Sequence, residues 1–245
     1  MRNTVDILGV PVDKVTMSGA LEKVESFLES EGLHTVYTPN AEIMMASQRD
    51  AQLKAILGQA DLLVADGAGV VLASKILGRN LPERVAGFDL TRKVLALSGK
   101  IPIKLFLFGG KPGVAELAGE NILKEFPSVE IMGCRDGYFK QEDENAIIDQ
   151  INSSGAHILL AALGAPKQEH WIHRNKEKLK VKICIGVGGS LDVFAGNVKR
   201  APEFFQKNGL EWFYRLCKEP WRYRRMLDLP RFTLLALKAR IQGGT

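Results

Sequence analysis

The sequence of 245 residues is poor in features that would cross-link a protein or carry it through a membrane. Its three cysteines, Cys134, Cys184 and Cys217, are widely spaced and form no CxxC pair, so neither a disulfide framework nor a zinc or redox motif is indicated. No uninterrupted apolar run approaches the ~20 residues of a membrane-spanning helix. The first residues, MRNTVDILGVPVD, do not resemble an export signal. We therefore expect a reduced, cytoplasmic protein.

Two motifs of nucleotide-dependent enzymes are also absent. No GxGxxG follows an early strand, which argues against a dinucleotide-dependent oxidoreductase. No DxD triplet occurs, so a sugar-nucleotide enzyme with this sequence would have to neutralise a leaving diphosphate with its own cations. His170 and His173 are three residues apart, but no third ligand is spaced with them. We expect no metal site and no cofactor.

The first ~195 residues alternate short β-rich runs with amphipathic helical stretches, which is typical of a parallel sheet covered by helices on both faces. Runs such as LFLF at 105–108 are nearly all apolar, as strands buried on both faces should be. The predicted strands span 5–10, 34–38, 61–65, 103–108, 130–132, 157–163 and 182–187. The predicted helices span 17–30, 40–59, 67–78, 88–99, 112–126, 141–153 and 166–179. We expect an α/β fold with a Rossmann-like, mostly parallel sheet.

The charge of the chain is unevenly distributed. Residues 199–245 contain 11 Lys and Arg against 4 Asp and Glu, whereas the preceding residues have a slight acidic excess. Aromatic and aliphatic residues are interleaved with these cations, and Pro220 and Pro230 are expected to divide the segment into short helices. We expect a catalytic α/β core over 1–195 and a basic, amphipathic helical appendage over 196–245 that docks on an anionic membrane and completes the active site.

Polar side chains follow two predicted strands of the sheet. Thr38 and Asn40 open the TPNAE segment, and Asp66 follows DLLVA directly. Ligands of such sheets bind beyond the carboxyl ends of the strands, which makes these three residues candidates for a binding or catalytic site. Asn40 and Asp66 are equally suited to be helix N-caps. A carboxylate at the position of Asp66 is also what a general base toward a sugar hydroxyl requires.

Glycine-containing loops follow three later strands. Residues 109–113, GGKPG, match no phosphate-binding motif, and close helix packing is the better explanation of these glycines. Gln168 lies in GAPKQE, after the strand at 157–163. Gly188, Gly189 and Asp192 lie in GVGGSLD, where the backbone can approach a nucleotide and the carboxylate can accept from a ribose or a base.

The appendage carries arginines suited to phosphate. Arg222 and Arg225 are three residues apart on one predicted helical face, and Arg215 precedes them. Guanidinium groups bind phosphate in a bidentate fork and stay charged. The same cations could instead attract lipid headgroups while neighbouring aromatic rings enter the membrane interface. A module that binds nucleic acid or an anionic membrane is the alternative from another functional class.

Seven blocks of the sequence together resemble the WecG/TagA/CpsF glycosyltransferases, and the resemblance covers nearly the whole chain. The blocks are TPNAE at 38–42, DG at 66–67, LPERVAGFDL at 81–90, GAPKQE at 164–169, GVGGSLDVFAG at 186–196, KRAP at 199–202 and GLEWFYRLCKEPWRYRRM at 209–226. Within the family, the TagA branch is the most similar. That branch implies transfer of N-acetylmannosamine from UDP-ManNAc to the 4-hydroxyl of undecaprenyl-diphosphate-linked GlcNAc, with inversion, in wall teichoic acid synthesis. Other branches imply UDP-ManNAcA or another UDP-hexose as donor.

The resemblance also implies roles for individual residues and partners. Asp66 is similar to the catalytic base, and Thr38 and Gln168 to polar groups of the sugar and acceptor pocket. The arginines named above resemble the appendage arginines that meet phosphates. Nucleotide contacts are a further expectation, for Asn40, Gly188, Gly189 and Asp192. We expect a UDP-sugar, a polyprenyl-diphosphate-linked acceptor and the inner face of the plasma membrane as partners, with a possible homo-oligomer and no nucleic acid.

Overall fold

The computed structural model describes residues 2–242 except 219, 221 and 222, and leaves out the side chains of 207, 215, 224 and 225. The strands are β1 (Thr4–Ile7), β2 (Val10–Asp13), β3 (His34–Tyr37), β4 (Leu62–Leu63), β5 (Ile103–Gly109), β6 (Val129–Arg135), β7 (Ile158–Ala162) and β8 (Ile183–Gly186). The helices before residue 196 are α1 (Met17–Glu29), α2 (Ala41–Ser47), α3 (Ala51–Gly58), α4 (Ala68–Ile76), α5 (Gly87–Ala96), α6 (Val114–Glu125), α7 (Glu144–Ser153), α8 (Lys167–Asn175) and α9 (Ser190–Phe194). The helices after it are α10 (Glu203–Lys207), α11 (Glu211–Lys218), α12 (Tyr223–Met226) and α13 (Asp228–Gln242).

Six strands form one parallel sheet in the order β4-β3-β8-β7-β5-β6. Helices cover both of its faces, and side chains that alternate along β5 enter different cores. Phe106 and Phe108 pack with one cluster, whereas Leu105 and Leu107 pack with the other. All four are buried completely. The α/β fold expected from the apolar runs is confirmed.

Crevices open at the carboxyl edge of the sheet where the helices after neighbouring strands leave toward opposite faces. The helix after β3 and the helix after β8 lie on opposite faces, since Met44 of α2 joins one core and Leu191 of α9 the other. The same holds for β5 and β7, because Val114 of α6 and Trp171 of α8 belong to different cores. Chain segments diverge at such places and leave room for a ligand.

The first predicted strand, 5–10, is wrong in its bounds and its sheet. It is a hairpin of β1 and β2, which pair antiparallel in a separate two-stranded sheet. Leu8 and Gly9 make the two-residue turn with positive φ values of 55° and 82°. Such a turn matches the twist of two adjoining strands. The predicted helix over 40–59 is likewise two helices, because α2 ends at Ser47 and Asp50 then caps α3, its Oδ1 accepting from Leu53 N–H.

The C-terminal helix α13 packs on the body of the protein, against α2 and α4. Phe232 and Ala236 are completely buried in the same cluster as Met44. Pro230 was expected to break the chain, but it lies in the first turn of α13, where the missing N–H removes no helical hydrogen bond. The division into a core over 1–195 and an appendage over 196–245 stays a prediction.

We expect Phe232→Ala to lower the free energy of unfolding by about 3–5 kcal/mol, because it leaves a cavity between α13 and the body. Leu234→Ala is the matched control on the same helix. Leu234 is 64% exposed, so its loss should change stability by less than about 0.5 kcal/mol. Urea unfolding followed by circular dichroism measures both. Equal midpoints for the two variants would show that α13 is not part of the cooperative unit.

Candidate active site

The crevice between β3 and β8 opens into a cavity of about 230 Å³, here called the inner cavity. It brings together side chains and glycines that the sequence placed in separate loops. Its lining includes Thr38, Asn40, Glu42, Asp66, Arg84, Gln168, Gly188, Gly189, Arg200 and Glu211. Six of these were predicted as site residues from the ends of the strands. Their convergence follows from the parallel sheet, whose strands all end at this edge.

The residues after β3 are held by close contacts with neighbouring helices. Asn40 caps α2, since its Oδ1 accepts from Ile43 N–H at 3.1 Å. Asn40 is therefore a helix N-cap, which was one of its two predicted roles, and it also lines the inner cavity. Thr38 lies against the start of α5, where a Cβ on Gly87 would come within 2.5 Å of Thr38 Oγ1. Only glycine allows α5 to begin this close to the hydroxyl.

Asp66 follows β4 and lies at the mouth of the cavity. Its backbone N–H donates to Pro39 O at 3.2 Å, which ties the loop to the end of β3. The N-cap reading of Asp66 is wrong, because Gly67 occupies the cap position of α4 without a side-chain cap hydrogen bond. The carboxylate instead faces Arg84, with 3.7 Å between Asp66 Oδ1 and Arg84 Nη2.

Arg84 is a site residue that reasoning from the strand ends missed. It lies in the LPERVAGFDL block, between α4 and α5 rather than directly after a strand. Its Nη2 also donates to Glu211, so one guanidinium lies between two carboxylates, one from the core and one from α11. Its buried Nε has no hydrogen-bond partner among the described residues. A charged donor beside Asp66 suits an anionic ligand.

The C-terminal segment contributes both an acidic and a basic residue to the lining of the inner cavity. Glu211 pairs with Arg84 and lies 3.7 Å from Arg200 Nε. Arg200 in turn forms a bidentate pair with Asp89 at 2.5 and 2.7 Å. Burial opposes the charge of Arg200, but the hydrogen bonds and charge of Asp89, together with Glu211 and Asp66, raise its pKa. This chain of alternating charges joins α11 to α5.

Gln168 is buried under the glycine loop after β8. Its side-chain Oε1 accepts from Gly188 N–H at 3.0 Å, and the residue is 3% exposed. A Cβ on Gly186 would lie 2.9 Å from Gln168 Nε2, so glycine is required at the end of β8 for the amide to reach the loop. Gln168 and the GVGG turn therefore form one packed unit.

A second, more open cavity of about 860 Å³ lies at the crevice between β5 and β7, and is here called the outer shelf. It shares Gly188 and Gly189 with the inner cavity and adds Asp192 on its rim. Its volume is that of pockets for drug-sized ligands. Its lining includes Lys111, Lys140 and Lys167 together with Tyr138 and Phe139. The two cavities adjoin at this glycine loop and are together called the cleft.

The glycines at 109–113 serve close packing, as expected from the lack of a phosphate motif. A Cβ on Gly109, which has φ +133°, would lie 2.4 Å from the backbone of Ala162 in β7. A Cβ on Gly110 would lie 2.8 Å from Val114 at the start of α6. These contacts include strand packing as well as the helix packing that was expected.

A third cavity of about 110 Å³, the side cavity, adjoins the inner cavity across a shared wall. The wall consists of Asn40, Glu42, Asp66, Arg84 and Glu211, which line both spaces. The far side of the side cavity is more apolar. It is formed by Trp212, Met226 and Leu229 of the C-terminal segment. Asp66 therefore lies between a polar space in the core and a mixed space under the appendage.

The predicted appendage arginines fall partly outside the described residues. Arg222 lies outside them altogether, and the side chains of Arg215 and Arg225 are not described. Their backbones lie in α11 and α12. In the described part of the chain, no group of three His, Cys, Asp or Glu side chains is placed to hold a metal ion. His170 contacts Asp50, with 2.9 Å between Nε2 and Oδ2.

Comparison with known proteins shows the family of the chain, and its relatives include two Bacillus proteins. Residues 5–245 match the sequence model described as "Glycosyl transferase WecG/TagA/CpsF family". A protein of Bacillus spizizenii (strain W23) is 39% identical over 203 residues, covering 83% of this chain and 78% of its own length. A protein of Bacillus subtilis (strain 168) is 34% identical over 236 residues, covering 96% of this chain and 91% of its own. Both are named "N-acetylglucosaminyldiphosphoundecaprenol N-acetyl-beta-D-mannosaminyltransferase".

We expect Glu211→Gln to loosen the C-terminal segment, because it removes the charge that pairs α11 with Arg84. Loss of about 1 kcal/mol from such a partly buried pair should make trypsin cleavage within 207–225 roughly fivefold faster. Glu177→Gln is the control, since Glu177 is 88% exposed and far from the site. Peptide mass mapping over time measures the rates. Unchanged cleavage in Glu211→Gln would mean that the ion pair does not hold the segment in place.

Proposed function

The chain belongs to the WecG/TagA/CpsF glycosyltransferase family, and we propose that it transfers N-acetylmannosamine from UDP-ManNAc to undecaprenyl-diphosphate-linked GlcNAc. The acceptor group is the 4-hydroxyl, and the product is the linkage disaccharide of wall teichoic acid. One observation carries the proposal. Asp66 lines both the inner cavity and the side cavity, and a base that acts between donor and acceptor must have such a position. The 39% identity to a named N-acetylmannosaminyltransferase supports the same reaction.

The proposed donor site is the cleft formed by the inner cavity and the outer shelf. The uridine diphosphate lies along the outer shelf, where Lys111, Lys140 and Lys167 outnumber the carboxylates of Asp143 and Asp192 and favour phosphates. Gly188 and Gly189 have open space where a side chain would stand, so the diphosphate can approach their backbone. Asp192 on the rim accepts from the ribose or the base. The sugar then extends into the inner cavity.

The proposed acceptor site is the side cavity. Its wall presents Asp66 and Arg84 to the acceptor sugar, and its far side offers Trp212, Met226 and Leu229. This mixture suits a sugar whose diphosphate leads to a lipid, because the apolar side chains lie toward the end where the lipid begins. Since these three side chains come from residues after 196, the site is complete only with the appendage in place.

The proposed reaction is a single displacement. Asp66 removes the proton of the acceptor hydroxyl as its oxygen attacks the anomeric carbon, and the bond from that carbon to UDP breaks on the opposite side of the sugar. The configuration at the anomeric carbon is therefore inverted, and no covalent enzyme intermediate forms. Thr38, Asn40 and Gln168 orient the sugar in the inner cavity.

The leaving diphosphate gains negative charge as it departs, and cations must stabilise it. Arg84 is at the wall of the inner cavity, and Arg215, Arg222 and Arg225 are proposed to join it from the appendage. Guanidinium groups bind phosphate oxygens in a bidentate fork and stay charged at all relevant pH values. Fixed cations of this kind stabilise the transition state without a metal ion.

The donor sugar is decided by product analysis. Purified protein is offered UDP-ManNAc, UDP-ManNAcA and UDP-glucose in separate reactions with a GlcNAc-diphospho-lipid, and products are identified by mass spectrometry. A dominant product from UDP-ManNAc supports the proposal. A dominant product from another donor contradicts it and assigns the chain to the alternative within the family, synthesis of another surface polysaccharide.

The appendage is proposed to place the site at the inner face of the plasma membrane. Leu234, Leu237 and Ile241 form an exposed apolar stripe on α13, and Arg231 and Lys238 lie on the same helix. Aromatic side chains of α11 and α12 are also exposed, among them Phe213 and Tyr223. Within the described residues, no helix is long and apolar enough to cross a bilayer. A homo-oligomer stays a second proposal, but Met44 and Met45 of α2 are buried in the core and do not offer an apolar surface for it.

Asp66→Asn should lower kcat by roughly 10²- to 10⁴-fold and leave UDP affinity nearly unchanged, because it removes the base without removing a phosphate contact. Steady-state kinetics and calorimetry with UDP measure the two effects. The control is Asp50→Asn, which loses a carboxylate but keeps the cap of α3, since asparagine caps as well as aspartate. Near-normal turnover in Asp66→Asn would exclude Asp66 as the base.

Leu237→Glu should weaken binding to vesicles that contain anionic lipid by about tenfold or more, because a leucine that leaves water contributes ~1.5–3 kcal/mol. Leu237 is 44% exposed on α13. Leu123→Glu is the control, since Leu123 is 40% exposed on α6, which packs on the opposite face of the sheet. Co-sedimentation measures binding. Equal binding of both variants would contradict membrane docking through α13.

A further inference from the structure

A carboxyl group is buried directly behind the site, on α8. Glu169 follows Gln168 in the chain and is 1% exposed, and it lines none of the three cavities described above. It cannot touch a ligand in them. If Glu169 affects the reaction, it must do so through a neighbouring side chain.

That neighbour is the side-chain amide of Gln168, which has two hydrogen bonds of opposite kind. Its Nε2 donates to Glu169 Oε1 at 2.9 Å, and its Oε1 accepts from Gly188 N–H at 3.0 Å. A backbone N–H can only donate, so exchanging the amide oxygen and nitrogen would set two donors against each other. The two bonds together fix which end of the amide faces the glycine loop. They use one of its two N–H groups.

The surrounding packing leaves the amide little freedom. A Cβ on Gly186 would lie 2.9 Å from Gln168 Nε2 and 3.3 Å from Tyr37 Cδ1, so the end of β8 packs closely against both the amide and a buried ring. Gln168 nevertheless lines the inner cavity. The two hydrogen bonds leave its second N–H available to an oxygen of the donor sugar or the diphosphate.

The stability of the fold does not explain a carboxyl group at this position. Burial raises the pKa of Glu169, and the hydrogen bond from Gln168 offsets this only in part. Its Oε2 has no hydrogen-bond partner within the described part of the chain. An unpaired buried oxygen costs free energy, and an apolar side chain of similar size would avoid that cost.

We propose that Glu169 is a positioning residue, which holds the Gln168 amide in the one orientation that binds both the Gly188 loop and the substrate. The proposal rests on the role of Gln168 in the glycosyl transfer proposed above. It predicts that Glu169 acts only through Gln168, so that removing Gln168 should make Glu169 irrelevant.

A double-mutant cycle tests this dependence. Glu169→Met keeps the size of the side chain but cannot accept the bond, and it should lower kcat roughly 10- to 100-fold. Glu169→Gln offers a carbonyl oxygen at the same place and should stay within about threefold of wild type. Gln168→Ala should lower kcat, and adding Glu169→Met to it should lower kcat no further. UDP affinity is measured beside kcat, because the Gly188 loop lines both parts of the cleft.

Trp171→Phe is the control for simple loss of packing. Trp171 lies on the same helix, is equally buried, and its Nε1 has no hydrogen-bond partner among the described groups. This variant should keep wild-type kcat. If Glu169→Met does not give folded protein, Glu169→Ser replaces it in the cycle, because its hydroxyl is two bonds shorter and cannot reach the amide.

The outcomes separate the two proposals. Wild-type kcat in the methionine variant, a glutamine variant as impaired as the methionine variant, or additive losses in the double variant would each overturn the positioning role alone. Wild-type kcat in Gln168→Ala would remove Gln168 from the proposed function and Glu169 with it. Loss in both single variants without further loss in the double variant supports the inference.

Discussion

The site depends on one constraint, which is that six parallel strands end at the same edge of a sheet while the helices after β3 and β8 leave toward opposite faces. The divergence opens a crevice, and the inner cavity lies there. Thr38, Asn40 and Asp66 reach it from one side, and Gln168 with the Gly188 loop reaches it from the other. The candidate site residues thus lie in loops and helix starts at the end of the sheet, and glycines at 87 and 186 allow the close approach of Thr38 and Gln168.

Two kinds of contact join the C-terminal segment to this scaffold, apolar packing and ion pairs. Phe232 and Ala236 bury α13 in the core beside α2 and α4, which fixes one end of the segment. Glu211 pairs with Arg84 and lies near Arg200, which brings the other end to the mouth of the inner cavity. The segment that was expected to supply cations therefore also supplies an anion. A guanidinium shared by Asp66 and Glu211 links the position of the segment to the electrostatics of Asp66, the proposed base.

Much of the fold was predictable because buried parallel strands have nearly all-apolar sequences, and polar residues after such strands must converge at one edge. The hairpin of β1 and β2 was missed because its turn, Leu8 and Gly9, carries no Asn-Gly or Asp-Gly signal. Arg84 and Glu211 were missed because neither follows a strand, and their meeting depends on tertiary contacts over 127 residues of chain. The burial of α13 was equally invisible, since Phe232 and Leu234 are both apolar and only packing decides which one faces inward.

The proposed reaction requires a donor diphosphate that spans the outer shelf and the inner cavity and ends beside Asp66. A crystal structure of the protein with UDP tests this claim most directly. We expect the uridine on the shelf near Asp192, the diphosphate beside the Gly188–Gly189 backbone, and the terminal phosphate directed into the cavity that Asp66 and Arg84 line. UDP bound elsewhere, or bound on the shelf with its terminal phosphate directed away from Asp66, would contradict it.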